Sequence, residues 1–106
     1  MPHQPILITS PGDLLSTSTE AFRLRAEASL ESGAQFQENN VEIDLRMANM
    51  VDSVGLNAIV AIIRKAKAAG RKIRITVTNQ HLYRVLVFTR IDRQAEILLD
   101  KAQAQL

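Results

Sequence analysis

Val41-Glu42-Ile43-Asp44-Leu45-Arg46 alternates apolar and charged residues without a break. Val41, Ile43 and Leu45 face one way, and Glu42, Asp44 and Arg46 the other, which predicts a strand. Lys72-Ile73-Arg74-Ile75-Thr76-Val77-Thr78 repeats the pattern with Ile73, Ile75 and Val77. Between them the period changes. Leu56, Ile59, Val60 and Ile63 recur at helical spacing, and Ile62 and Ala66 widen the stripe. This predicts a helix over Val54–Ala69, stopped by Gly70. A strand–helix–strand unit of this kind is parallel with a right-handed crossover. Upstream, Ile6–Thr9 reads as a short strand and Ser10-Pro11-Gly12-Asp13 as a turn. Thr17 and Glu20 have capping-box spacing ahead of a helix expected to end near Ser32-Gly33, its buried face built from Phe22, Ala26, Ser29 and Leu30. Downstream, Leu82, Val85, Leu86 and Thr89 predict a helix over Gln80–Thr89. Ala95-Glu96-Ile97 reads as a last strand, and Leu98–Leu106 as a short terminal helix.

The charged second face of the two alternating strands decides the architecture. A parallel sheet covered on both sides would read as continuous apolar runs. Here one face is wet, so the expected α/β fold has two layers, with helices packed on one side only. Glu42 and Asp44 are expected to sit against Lys72 and Arg74 on the open side, each pair contributing at most about 1 kcal/mol.

The 106 residues fit one domain, 1–106, with one core. The absence of cysteine excludes disulfides and thiolate chemistry and suits a reducing compartment. No apolar run approaches the roughly 20 residues of a membrane span. Met1-Pro2-His3-Gln4-Pro5 lacks the features of a signal peptide, so the expected location is the cytoplasm, with no membrane partner. Charge is uneven. Met1–Ser53 carries three Lys/Arg against eight Asp/Glu, and Val54–Leu106 ten against three. The basic half raises nucleic acid as a partner. Against it, the four aromatics, Phe22, Phe36, Tyr83 and Phe88, form no stacking platform interleaved with that charge. A solvated basic helix face is the simpler reading, and no direct nucleic-acid contact is expected.

Chemistry-bearing motifs are scarce. His3 and His81 have no metal-ligand spacing, and no catalytic metal or cofactor is expected. No G-x-S-x-G, dinucleotide fingerprint or P-loop occurs among the four glycines. Nothing argues for an enzyme. What stands out is Asp52-Ser53-Val54-Gly55 at the entrance of the central helix. Ser53 can serve as N-cap and Asp52 can favour the positive end of the helix dipole. The same position follows the carboxyl end of a parallel strand, where ligands and partners of such sheets bind. Gly55 in the first turn sacrifices helix propensity, as if backbone access were needed. A phosphate on Ser53 would meet free N–H groups and the dipole.

These features, in order, resemble the STAS domain family, and within it the bacterial anti-sigma factor antagonists. The resemblance rests on the strand Val41–Leu45, then Met50-Val51-Asp52-Ser53-Val54-Gly55-Leu56, Ala66-Lys67-Ala68-Ala69-Gly70, the strand Lys72–Thr78, Thr89-Arg90-Ile91-Asp92 with Glu96-Ile97, and Gly12-Asp13-Leu14. It implies a STAS-like fold, a small mixed β-sheet with helices on one face. It implies no enzymatic activity but a switch, in which Ser53 is phosphorylated by an anti-sigma factor that is also a serine-protein kinase, and a metal-dependent serine phosphatase reverses the modification. The partner-binding surface implied comprises Asp52, Ser53, Val54, Gly55, Leu56 and Asn57; a homodimer stays open. Three positions depart from the family pattern: Val54 stands where a second small hydroxyl residue is usual, Leu15 where an acid is, and Arg90 where a glycine is. The alternative is a constitutive STAS scaffold or ligand-binding module, in which Ser53 only caps the helix.

Overall fold

The computed structural model describes residues 5–35 and 40–100, the side chains of 33–35 excepted. Strands and helices alternate: β1 (Ile6–Thr9), α1 (Thr19–Gln35), β2 (Asn40–Leu45), α2 (Ser53–Ala68), β3 (Lys72–Val77), α3 (Gln80–Phe88), a 3-10 turn (Ile91–Arg93) and β4 (Glu96–Leu99). The sheet order is β1-β2-β3-β4, and each neighbouring pair is parallel. Every crossover therefore steps in the same direction. With one handedness, that places all three helices on one face of the sheet. Accordingly α1 packs on β1 and α2, α2 on β3, and α3 on β3 and β4.

The register explains the core. Ile8, Ile43, Ile75 and Ile97 form one row across the sheet, and Leu45, Val77 and Leu99 another. Ile43, Leu45, Ile75 and Val77 are fully buried beneath Phe22, Ala26, Ile59, Ile63, Ala66 and Leu86 from the helices. The covered face of α2 is Gly55, Ala58, Ile59, Ile62, Ile63 and Ala66, while Leu56 and Val60 lie at its margin. Gly70, at φ +76°, ends that helix. The Gly70 N–H donates to Lys67 O at 2.9 Å and the Arg71 N–H to Ala66 O at 3.0 Å, the paired bonds of a Schellman stop. The Arg71 guanidinium donates to Leu30 O at 3.2 Å, fastening α1 to this end of α2.

Several sequence expectations are corrected. The sheet is parallel throughout the described residues rather than mixed. Helix α1 continues past Ser32-Gly33 to Gln35. It starts at Thr19, whose hydroxyl donates to Leu15 O at 2.7 Å. Thr17 lies in the preceding turn, and Glu20 is engaged by Arg23 rather than by a capping box. Leu98 and Leu99 belong to β4, not to a terminal helix, and Asp100 follows the strand, its N–H donating to Val77 O; residues 101–106 lie outside the described residues, as do His3 and Phe36. On the open face the register sets Glu42 beside Arg74 and Asp44 beside Thr76, while Lys72 meets Asn40. Arg74 approaches Glu96 at 3.7 Å. Asp44, 9% exposed, is held by its own neighbour Arg46: Nε donates to Oδ1 at 3.0 Å and Nη2 to Oδ2 at 2.9 Å. Local geometry wins because Arg46, in the turn directly after β2, reaches Asp44 with its backbone N–H and its guanidinium without any cross-strand span.

The Arg46 hydrogen bonds hold the Asp44 carboxyl below its usual pKa, against the opposing effect of burial. The folded state thus binds the Asp44 proton less tightly than the unfolded chain does. This contribution is full above about pH 4 and is lost as pH falls through the lowered value. Asp44→Asn is expected to flatten the acid limb of the stability profile below about pH 4 while costing stability at neutral pH, as read by urea denaturation across pH. A second variant addresses helix placement. A Cβ at Gly55 would lie 2.4 Å from Leu14 O and 2.8 Å from Val51 Cγ1. The first of these is backbone and cannot turn aside, so Gly55→Ala is expected to cost about 2–3 kcal/mol in the same measurement.

Candidate functional site

The site lies at the carboxyl end of the sheet, where the loop after β2 turns into α2. Its frame is hydrogen-bonded backbone. Leu14, in the loop after β1, forms a parallel bridge with Val51. Leu14 N–H donates to Met50 O and Asp52 N–H donates to Leu14 O, both at 3.0 Å. Asp13 Oδ1 accepts from the Asn49 N–H at 2.7 Å and the Met50 N–H at 3.2 Å. From the other side, Thr78 Oγ1 donates to Arg46 O at 2.8 Å, and Asn79 Nδ2 to Asn49 Oδ1 at 3.2 Å. Ala48 plugs the loop into the core. An irregular segment held by so many partners presents its outer side chains on a fixed frame.

Asp52 is the hinge of this arrangement. It, not Ser53, is the N-cap of α2. Its backbone is extended, and its Oδ1 accepts the Gly55 N–H at 2.9 Å. Its Oδ2 accepts the Ser16 N–H at 2.8 Å. One carboxylate therefore closes the helix end and ties it to the loop after β1. The correction has a physical reason: a carboxylate is as good an N-cap as a hydroxyl, and its second oxygen serves another donor. Ser53, displaced into the first helical position, is exposed. The first intrahelical bond runs from Leu56 N–H to Asp52 O at 2.9 Å, so Ser53 and Val54 precede it at the positive end of the dipole.

The six residues expected to meet a partner divide. Ser53, Val54 and Asn57 are exposed; Asp52 and Leu56 are half-buried; Gly55 is buried against Leu14. The glycine serves the approach of helix to loop, and presents nothing outward. The segment leading into α2 and its first turn also expose large apolar side chains: Met47 is 66% exposed, Met50 60% and Val54 46%. Exposed methionines on a pinned segment are usual material of protein interfaces. Reading of the sequence passed over Met47 and Met50, and over the bracing roles of Asp13, Leu14, Ser16 and Asn79. Two methionines in one short loop were a usable signal; the bracing came from contacts some 30 residues apart, which no local pattern carries.

Catalytic chemistry has little to work with here. His81 is exposed at the start of α3, on the rim of a small 70 Å³ depression with Met50 and Val51. Among the described residues no three His, Cys, Asp or Glu side chains gather as a metal site. Nor is any described helix long and apolar enough to cross a membrane.

Known proteins share this fold. The crystal structure of a Thermotoga maritima protein, TM1081, provisionally designated an anti-sigma factor antagonist, superposes with a TM-score of 0.76 at 21% identity, covering 98% of this chain and 90% of that one. The NMR structure of TM1081 gives a TM-score of 0.68 at 20% identity, covering 93% and 77%. At these identities the likeness establishes the fold. No curated protein matches the sequence significantly. The STAS domain model matches residues 2–104, and with that extent the chain belongs to the STAS domain family.

Proposed function

We propose that this STAS domain is a non-enzymatic switch resembling an anti-sigma factor antagonist. It binds an anti-sigma factor that is also a serine-protein kinase, and phosphorylation of Ser53 releases it. The observation that carries this reading is the exposed Ser53 on a braced helix start, in a segment that also exposes Met47, Met50 and Val54. A docking partner would cover these apolar side chains and the hydroxyl together, with Asn57 on the next turn of the same helix.

The switch follows from charge. Transfer of the γ-phosphoryl group of ATP to Ser53 Oγ, with loss of the hydroxyl proton and departure of ADP, adds about −1.5 to −2 charges. The Asp52 carboxylate stands one residue away and already holds the Gly55 N–H. The phosphate thus finds its innermost helix-end donor occupied by an anion, and its charge is directed outward. In an apolar interface that charge is costly to desolvate, which favours release. A metal-dependent serine phosphatase would restore the hydroxyl. Nothing in the fold needs the hydroxyl as a cap, so modification leaves the domain folded.

With the serine kinase/anti-sigma factor of the same genome as probe, Ser53→Ala is expected to abolish phosphate incorporation from ATP and to retain binding. Ser53→Asp should weaken binding about tenfold or more, as read by calorimetry. Undiminished incorporation in Ser53→Ala would refute the site assignment. Equal affinity of all three proteins would favour the constitutive scaffold instead.

A further inference from the structure

Helix α3 presents an outer face that the proposed switch does not use. Gln80, His81, Arg84, Val87 and Phe88 are its exposed residues, and at 100° per residue they fall within about a third of a turn. Leu82 and Leu86 point the other way, into the core. Phe88 is 89% exposed, the most exposed of the large apolar side chains described, and Val87 beside it is 37% exposed. Arg84 lies one turn before Phe88 on the same face. Arg90, in the left-handed conformation at φ 65°, and Arg93 in the 3-10 turn follow directly, both exposed. Arg84, Arg90 and Arg93 make no ion pair among the described residues. The nearest carboxylate in sequence, Asp92, is exposed as well.

We propose that this corner, with Phe88 as anchor and Arg84, Arg90 and Arg93 around it, docks on an anionic lipid surface. An aromatic ring held out at a helix end suits insertion at the level of the headgroups, and unpaired guanidiniums suit lipid phosphates. The charge pattern selects this occupant. A second copy meeting the same corner would set like charges together. A single-stranded nucleic acid would need stacking surfaces beyond the single ring, and a duplex held through its phosphates would leave the exposed Phe88 ring unused. The lack of a spanning helix among the described residues does not bear on surface contact. Helices α2 and α3 both run from the carboxyl end of the sheet to its amino end, so Phe88 and Ser53 lie at opposite ends of the domain. A domain seated through Phe88 keeps Ser53 turned toward solvent and any protein partner.

The test is co-sedimentation of the full chain with vesicles at low and high salt. The protein is expected to bind mixed phosphatidylcholine–phosphatidylglycerol vesicles at low salt, to lose that binding as salt rises, and to ignore pure phosphatidylcholine. Phe88→Ser and Arg84→Glu should each lower partitioning about tenfold. Leu24→Ser, which removes an exposed leucine on α1, should leave it unchanged. No association with the mixed vesicles, equal association with the neutral ones, or undiminished association of Phe88→Ser would overturn the proposal. None of these outcomes depends on phosphorylation at Ser53.

Discussion

The Asp52 carboxylate is the interaction on which the site depends. One oxygen closes the first turn of α2, and the other holds the backbone of the loop after β1. Hydrogen bonds to an ionised acceptor are roughly twice as strong as neutral ones, so this pair outweighs an ordinary hydroxyl cap. Its consequence is positional. Because the acid takes the cap, the serine moves into the helix and its hydroxyl is left outside. Because the same acid reaches Ser16, the loop before α1 and the start of α2 form one body. Gly55 completes the fit by letting the helix backbone come up against Leu14.

The rest of the fold supports that end of the molecule. Three crossovers of one hand put every helix on one face, so all three helix starts gather at the carboxyl end of a parallel sheet. The loops between them are short enough to bond to one another, as Asn79 does with Asn49 and Asp13 with Met50. The open sheet face stays wet and carries ion pairs of modest value. The helix ends at the opposite pole carry the exposed aromatic and its arginines. The domain thus separates a surface suited to protein contact from one suited to anionic contact, with the core between them.

Much of this was legible in the sequence, because apolar and polar residues alternate along β2 and β3. That alternation gave the strands, the two layers and the parallel unit. The stripe of Ile59, Ile62, Ile63 and Ala66 gave α2, and Gly70 its end. What could not be read depended on contacts distant in the chain or on competition between equivalent groups. Asp52 and Ser53 are both good caps, and only the donor supplied by Ser16 decides between them. Asp44 could have faced a lysine or arginine across the sheet, but Arg46, two residues on in the turn after β2, was nearer. Thr17 and Glu20 had the spacing of a box, yet Thr17 lies in the turn before α1 and Glu20 is engaged by Arg23. Arg90 marks a stop that glycine would make with less strain, and its left-handed backbone explains how the departure is accommodated. The exposed methionines were visible as letters but acquired meaning only from the frame beneath them.

One carboxylate joins the two loops and leaves Ser53 outside, and amide hydrogen exchange followed by NMR in the wild type and in Asp52→Ala puts this to the test. The Ser16 and Gly55 amides are expected to lose protection together, by about tenfold or more, while the amides of β2 and β3 keep theirs. Ser16 exchanging at the same rate in both proteins would show that the carboxylate does not hold the loop.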